Sequence, residues 1–159
     1  MTPDPHIRHM QMAIRLAVDA MEQGEVPTGC VIVRNLPDGH AQIVGRAHNQ
    51  VETLKDPTAH AEILAITQAA AALGDWRLTD TVLYVTKEPC AMCAGAIVLA
   101  RIPLVVFGAT DPRRGGAVSV FNILNHPQLN HRCEVIPGVM EADCRTLLRE
   151  FFRARREEP

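Results

Sequence analysis

The sequence predicts an α/β protein, a three-layer α/β/α arrangement around a mixed central sheet. Three observations carry that expectation. Short β-branched runs alternate with longer segments of helical periodicity, a tight turn joins two strands into a hairpin, and no shift in composition divides the 159 residues. Residues 1–159 are therefore expected to form a single domain, long enough for a sizeable core.

Taken in order, Ile7, Met10, Ile14, Ala17, Val18 and Met21 recur at helical spacing. A first amphipathic helix is expected from about 5 to 23, with Gly24 as its stop. The strings "CVIVRN" and "QIVGRAHN" flank "LPDGH", whose Pro-Asp-Gly is a turn signal, and read as a hairpin. A second helix is expected over "DPTAHAEILAITQAAAAL", opening on capping-type residues and closing at Gly74. "TVLYVT" reads as a strand that feeds directly into "EPCAMCAGAIVLA", a helix with proline in its start position. "LVVFG" is a buried strand and "CEVI" a short one. A last helix spans about 140–156.

Composition narrows the setting. Five cysteines, Cys30, Cys90, Cys93, Cys133 and Cys144, make an odd, scattered set that does not suit a disulfide framework and suggests a reducing compartment. The amino end has no long apolar stretch of the secretory kind. The most apolar window, 92–109, is broken by Arg101 and Pro103 and reads as core rather than membrane span. A soluble cytoplasmic protein is expected. The net charge of −2 excludes a general polyanion binder, but its distribution is uneven: 7 basic and 11 acidic residues up to residue 100, then 9 and 7 beyond it. A nucleic-acid surface would be local and C-terminal.

Cys90 and Cys93 stand at i and i+3, so both sulfurs can share one face of a first helical turn, where the helix N-terminus favours thiolate. Alone, such a pair fits a redox couple or half a zinc ribbon as well as any other role, but no second knuckle follows. Cys133 and Cys144 are not spaced as one and read, like Cys30, as small buried or surface thiols. The better partner is His60, which heads the second helix as Cys90 heads the third. His60, Cys90 and Cys93 offer a zinc ion three protein ligands, the number typical of catalytic sites, whereas structural zinc is usually closed by four. Glu62, in the same first turn as His60, is placed to accept a proton from metal-activated water and pass it on. Its other reading is a carboxylate that complements the helix dipole.

These residues form a known pattern. His60-Ala61-Glu62 with Pro89-Cys90-Ala91-Met92-Cys93 is similar to the H-x-E…P-C-x-x-C signature of the zinc nucleobase deaminases. The segments "EVPTGCVIV", "DPTAHAEILA", "LYVTKEPCAMCAGAIVLARI", "VVFGATDPRRGGA", "LNHRCEV" and "FFRARR" narrow this. Together they resemble the bacterial tRNA-specific adenosine deaminases, within the cytidine and deoxycytidylate deaminase superfamily, over residues 7–156. The resemblance implies a cytidine-deaminase-like fold, one zinc ion per subunit, a homodimer, and hydrolytic conversion of wobble adenosine to inosine in the anticodon loop of tRNA. It implies His60, Cys90 and Cys93 as metal ligands and Glu62 as the proton shuttle.

The same resemblance assigns substrate contacts. Asn49 matches the position that contacts the target base, and Val26 and Pro27 match positions lining its pocket. Asp111, Arg113, Asn130 and His131 match places where the family touches RNA. The last helix carries Arg145, Arg149, Arg153 and Arg156 at steps of four or three, with Phe151 and Phe152 among them. Phe152, Arg153 and Arg156 are the expected RNA contacts there, arginines for phosphates and an aromatic for stacking. Lys87, Val118 and Asn122 depart from the residues common in the family. Two other readings stay open on the sequence: a deaminase of a free base or nucleoside such as guanine or cytosine, and a non-catalytic RNA-binding subunit that kept the zinc fold.

Overall fold

The computed structural model describes residues 4–157. Its elements in chain order are α1 (Pro5–Glu22), β1 (Gly29–Asn35), β2 (Ala41–His48), α2 (Val51–Leu54), α3 (Ala61–Leu73), β3 (Thr81–Lys87), α4 (Ala91–Leu99), β4 (Leu104–Ala109), β5 (Glu134–Ile136) and α5 (Glu141–Glu157). The strands form one mixed sheet in the order β2-β1-β3-β4-β5. β1 pairs antiparallel with β2 and β3, while β3, β4 and β5 run parallel. The α/β/α expectation is met, with each expected strand and helix in place.

Alternation along the strands builds two cores. Cys30 and Ile32 of β1, Leu83 and Val85 of β3, and Val105 and Phe107 of β4 pack on one face with α3 and α4. Val31 and Val33, Val82 and Tyr84, and Val106 face the other way, under Met10 and Ala13 of α1 and Cys144 of α5. Successive side chains point to opposite faces, and both faces are covered, so these strands are apolar throughout. α1 lies so close on the sheet that a Cβ at Gly29 would sit 1.9 Å from the Ala13 carbonyl oxygen. Only glycine fits there.

Helix ends follow local chemistry. Asp4 accepts a hydrogen bond from the His6 N–H at 2.9 Å and Pro5 opens α1, a favourable start. Gly24 and Gly74, with φ of +77° and +66°, turn the chain after α1 and α3 in the left-handed region that glycine enters at little cost.

One local expectation is corrected, and one short helix was not expected. The second helix does not begin at residue 56. Asp56 accepts from both the N–H and the hydroxyl of Thr58 at 2.8 Å, forming a turn, and the helix starts at Ala61. One helical turn, α2, precedes it. Its N–H groups at Glu52 and Thr53 donate to the buried Glu25 carboxylate at 3.0 and 2.7 Å, a partner 27 residues away that no local pattern reveals. Among the described residues no helix is long and apolar enough to cross a membrane.

Candidate metal centre

Topology brings the metal-type residues together. α4 is the crossover between the parallel strands β3 and β4, so it starts where β3 ends. α3 packs on the same sheet face and starts nearby. His60 and Cys90 occupy the N-cap positions of α3 and α4, each with extended backbone, and neither side chain makes a capping bond. An N-cap side chain ordinarily turns back onto its own helix. Here both are left to face each other.

The Nδ1 of His60 lies 3.6 Å from the Cys90 Sγ and 3.5 Å from the Cys93 Sγ, and the three donor atoms all fall within 4.8 Å of one another. A zinc ion about 2.3 Å from sulfur and about 2.0 Å from nitrogen, with tetrahedral angles, separates those donors by about 3.5 Å. The cluster fits that ion, and two thiolates with one imidazole are the soft set that zinc accepts. Among the described residues it is the one His/Cys/carboxylate cluster of this geometry.

Charge at the cluster is arranged to match. Hydrogen bonding to Cys93, and then to His60, pushes the Cys90 thiol down to about 3 against the opposing effect of burial. The Cys93 thiol is pushed up by the same bond and by burial. Two helix N-termini add positive potential that favours thiolate. Glu62 is 3 % exposed and lines the pocket beside His60 and Cys90. Burial pushes its carboxyl above the ordinary range, so it holds a proton more readily than a surface glutamate.

The pocket has a volume of about 710 Å³, within the roughly 300–1,000 Å³ usual for small-molecule sites. Asn49 is in its wall, and its side-chain oxygen accepts the Ala61 N–H at 2.8 Å. The amide therefore caps α3 in place of His60 and keeps its NH2 end to offer. Val26 lines the pocket, whereas Pro27 is buried and does not line it.

The remaining expected contacts divide. Arg113 and Phe152 line the pocket, together with Arg114, Phe121, Met92 and Arg155. Asp111 is not in the wall. It pairs with Lys87 at 3.2 Å and accepts the N–H groups of Arg113 and Arg114 at 3.1 and 3.2 Å, which shapes the loop that carries them. Asn130 and His131 lie elsewhere, the His131 ring bonding the Ile102 carbonyl at 2.8 Å. β5 runs parallel to β4, so the segment entering β5 must sit where β4 begins, a full strand from the metal corner.

The α5 side chains point in different directions. Arg153 and Arg156 are exposed and outside the pocket wall, whereas Phe151 is 8 % exposed and Arg155 lies over its ring at 4.7 Å. Arg155 also donates to the Gly24 carbonyl at 2.6 Å. At 3.6 residues per turn, residue 155 shares a side with buried residue 151, while 153 and 156 turn away.

Comparison with known proteins agrees with the geometry. Residues 5–156 match the MafB19-like deaminase family. The chain is 48 % identical over 150 residues to the tRNA-specific adenosine deaminase of Bacillus subtilis (strain 168), covering 94 % of this chain and 90 % of that one. The chain belongs to the tRNA-specific adenosine deaminase family. A solved structure from work on A-to-I editing by tRNA:A34 deaminases at the wobble position superposes on this member of the family with a TM-score of 0.81. It shares 40 % identity over 89 % of this chain and 99 % of that one. A guanine deaminase structure from Bacillus subtilis is more distant, with a TM-score of 0.63 and 31 % identity over 98 % and 96 % of the two chains.

Proposed function

We propose that this family member is a zinc-dependent hydrolase that converts adenosine at the wobble position of tRNA to inosine and ammonia. The observation that carries the reading is Glu62 buried beside the His60–Cys90–Cys93 cluster in one pocket, in a chain 48 % identical to a tRNA-specific adenosine deaminase. His60, Cys90 and Cys93 would hold one zinc ion, whose Lewis acidity makes water nucleophilic near neutral pH.

The chain's own residues supply the rest. Glu62 accepts one proton from the attacking water and gives it to the ring nitrogen next to the amino-bearing carbon, then takes the second proton from the added hydroxyl and gives it to the departing amine. Water adds to that carbon, the C–N bond breaks, and the carbonyl of inosine remains. Asn49 offers its NH2 group to the flipped base, and Val26 walls the pocket. The base must leave its stack to arrive there, so aromatic and basic groups at the rim are needed to hold the neighbouring nucleotides. Phe152, 45 % exposed, and Arg113 suit that task.

A homodimer fits the surface. Met92 and Leu99 of α4 are exposed, as are Val118, Val120 and Phe121 on the following loop, which packs on Ala94 through Gly116. An apolar set of this kind is expected to be covered. The tRNA substrate and five free cysteines support a cytoplasmic setting.

The test is direct. Zinc-loaded protein is incubated with an anticodon stem-loop carrying wobble adenosine, and the product is digested to nucleosides. Inosine, with one ammonia per inosine, is expected; turnover of free guanine or cytosine alone would overturn the reading.

A further inference from the structure

Glu25, Glu62 and Glu88 are the buried acidic residues among those described, at 1, 3 and 2 % exposure, and none pairs with a cation. Glu62 belongs to the reaction and Glu25 holds α2. Glu88 has no part in the chemistry, yet it stands two residues before Cys90 and its carboxylate is surrounded by one loop. Oε1 accepts the Asp111 N–H at 3.0 Å and the Ser119 hydroxyl; Oε2 accepts the N–H groups of Ala117, Val118 and Ser119 at 3.1, 2.8 and 3.0 Å.

The loop is pressed onto this anchor. A Cβ at Gly115 would lie 2.3 Å from the Glu88 carboxyl, and one at Gly116 2.9 Å from the Cys90 carbonyl oxygen. The Gly116 N–H donates to the Pro89 carbonyl at 2.7 Å. Arg113 and Arg114 sit at the tip of the loop so fastened.

We propose that Glu88 is a positioning residue for RNA binding, tying the 111–119 loop to the metal-ligand segment so that Arg113 and Arg114 are held at a fixed reach from the metal corner. The inference rests on the tRNA reading for its RNA consequence, but the loop anchoring can be tested apart from it. Glutamine in place of Glu88 presents one acceptor oxygen and turns an NH2 group towards N–H donors, so several of the five bonds are lost together.

The experiment uses zinc-loaded full-length protein. In Glu88→Gln, the amides of Asp111, Ala117, Val118 and Ser119 should exchange at least about tenfold faster while β3 and α4 stay protected. Zinc content should be unchanged, the anticodon stem-loop KM should rise about ten- to hundredfold, and kcat should move little. Combining Glu88→Gln with Arg113→Ala and Arg114→Ala should add almost nothing to the loss caused by the two arginine changes, because one acts through the other. Full additivity, or unchanged exchange, overturns the proposal. If Glu88→Gln fails to fold, Ser119→Ala should shift exchange and KM in the same direction by a smaller factor, and no shift there overturns it. Absence of inosine with the unsubstituted protein would sink the tRNA reading instead, leaving the exchange result to decide the anchoring.

Discussion

Nδ1 of His60 and Sγ of Cys93 lie 3.5 Å apart although 33 residues separate them, because two helices begin side by side on one sheet face. That spacing is set by the fold. The cluster should bind close to one zinc per chain, measured by metal analysis after dialysis. Loss of a supporting group around a metal ligand costs about 10- to 100-fold in affinity, so Cys93→Ser, which alters a ligand itself, should cost more. Chelation should abolish deamination, and zinc should restore it.

Glu62→Gln should retain zinc and lose ammonia release by about 10²- to 10⁴-fold. Its midpoint of thermal unfolding should not fall, since a buried carboxylate without a cation gives way to a neutral group of the same shape. A destabilised but active variant would contradict both halves of this expectation.

Glu25 and Glu88 resist burial through their hydrogen-bond donors, and both carboxyls lie below the ordinary value of 4.5. Groups with depressed native values contribute stability that is present above 4.5 and lost as pH falls through the native value. Urea unfolding should therefore show stability falling below about pH 4.5, with a shallower fall in Glu88→Gln.

Cys144 behaves in the opposite sense. Burial against Gly108, with Asp143 nearby, pushes its thiol up to about 12 from 9.0. A raised native value contributes stability fully present below pH 9 and lost as pH rises towards 12. Cys144→Ala should lower stability at neutral pH and flatten the alkaline loss.

Phe151 and Phe152 meet edge to face at 5.3 Å but do different work. Phe151→Ala removes a buried ring and should destabilise by about 3–5 kcal/mol. Phe152→Ala should leave stability within about 0.5 kcal/mol and weaken stem-loop binding by about 1–3 kcal/mol. Comparing unfolding with a binding titration separates the two.

Much of this was legible in the chain. Apolar, β-branched runs place every strand and 3.6-residue spacing every main helix, because both sheet faces are covered and the strands stay apolar. His60, Glu62, Cys90 and Cys93 stand out because unusual residue types sit at helix starts, and the structure brings the three ligand-type side chains together. What the sequence hides is direction and distance. The arginine stripe of α5 could be counted but not oriented, since Phe151 fixes the buried side only once α5 has docked. The parallel course of β5 carries Asn130 and His131 to the other end of the sheet from the metal corner, a separation no local pattern shows. Glu25 and Glu88 read as ordinary acids, because their partners are backbone N–H groups distant in sequence.

Asn49 accepts the first N–H of α3 with its amide oxygen and lines the pocket. The proposed base reader is thus mounted on the same rigid part, the start of α3, as the proposed ligand His60 and the proposed proton carrier Glu62. Attempts to retune which nucleobase is accepted by changing Asn49 would disturb the ligand and the proton carrier together. Broader or narrower substrate choice is better sought at the rim, among Arg113, Arg114 and Phe152, where side chains can be exchanged without touching the machinery below.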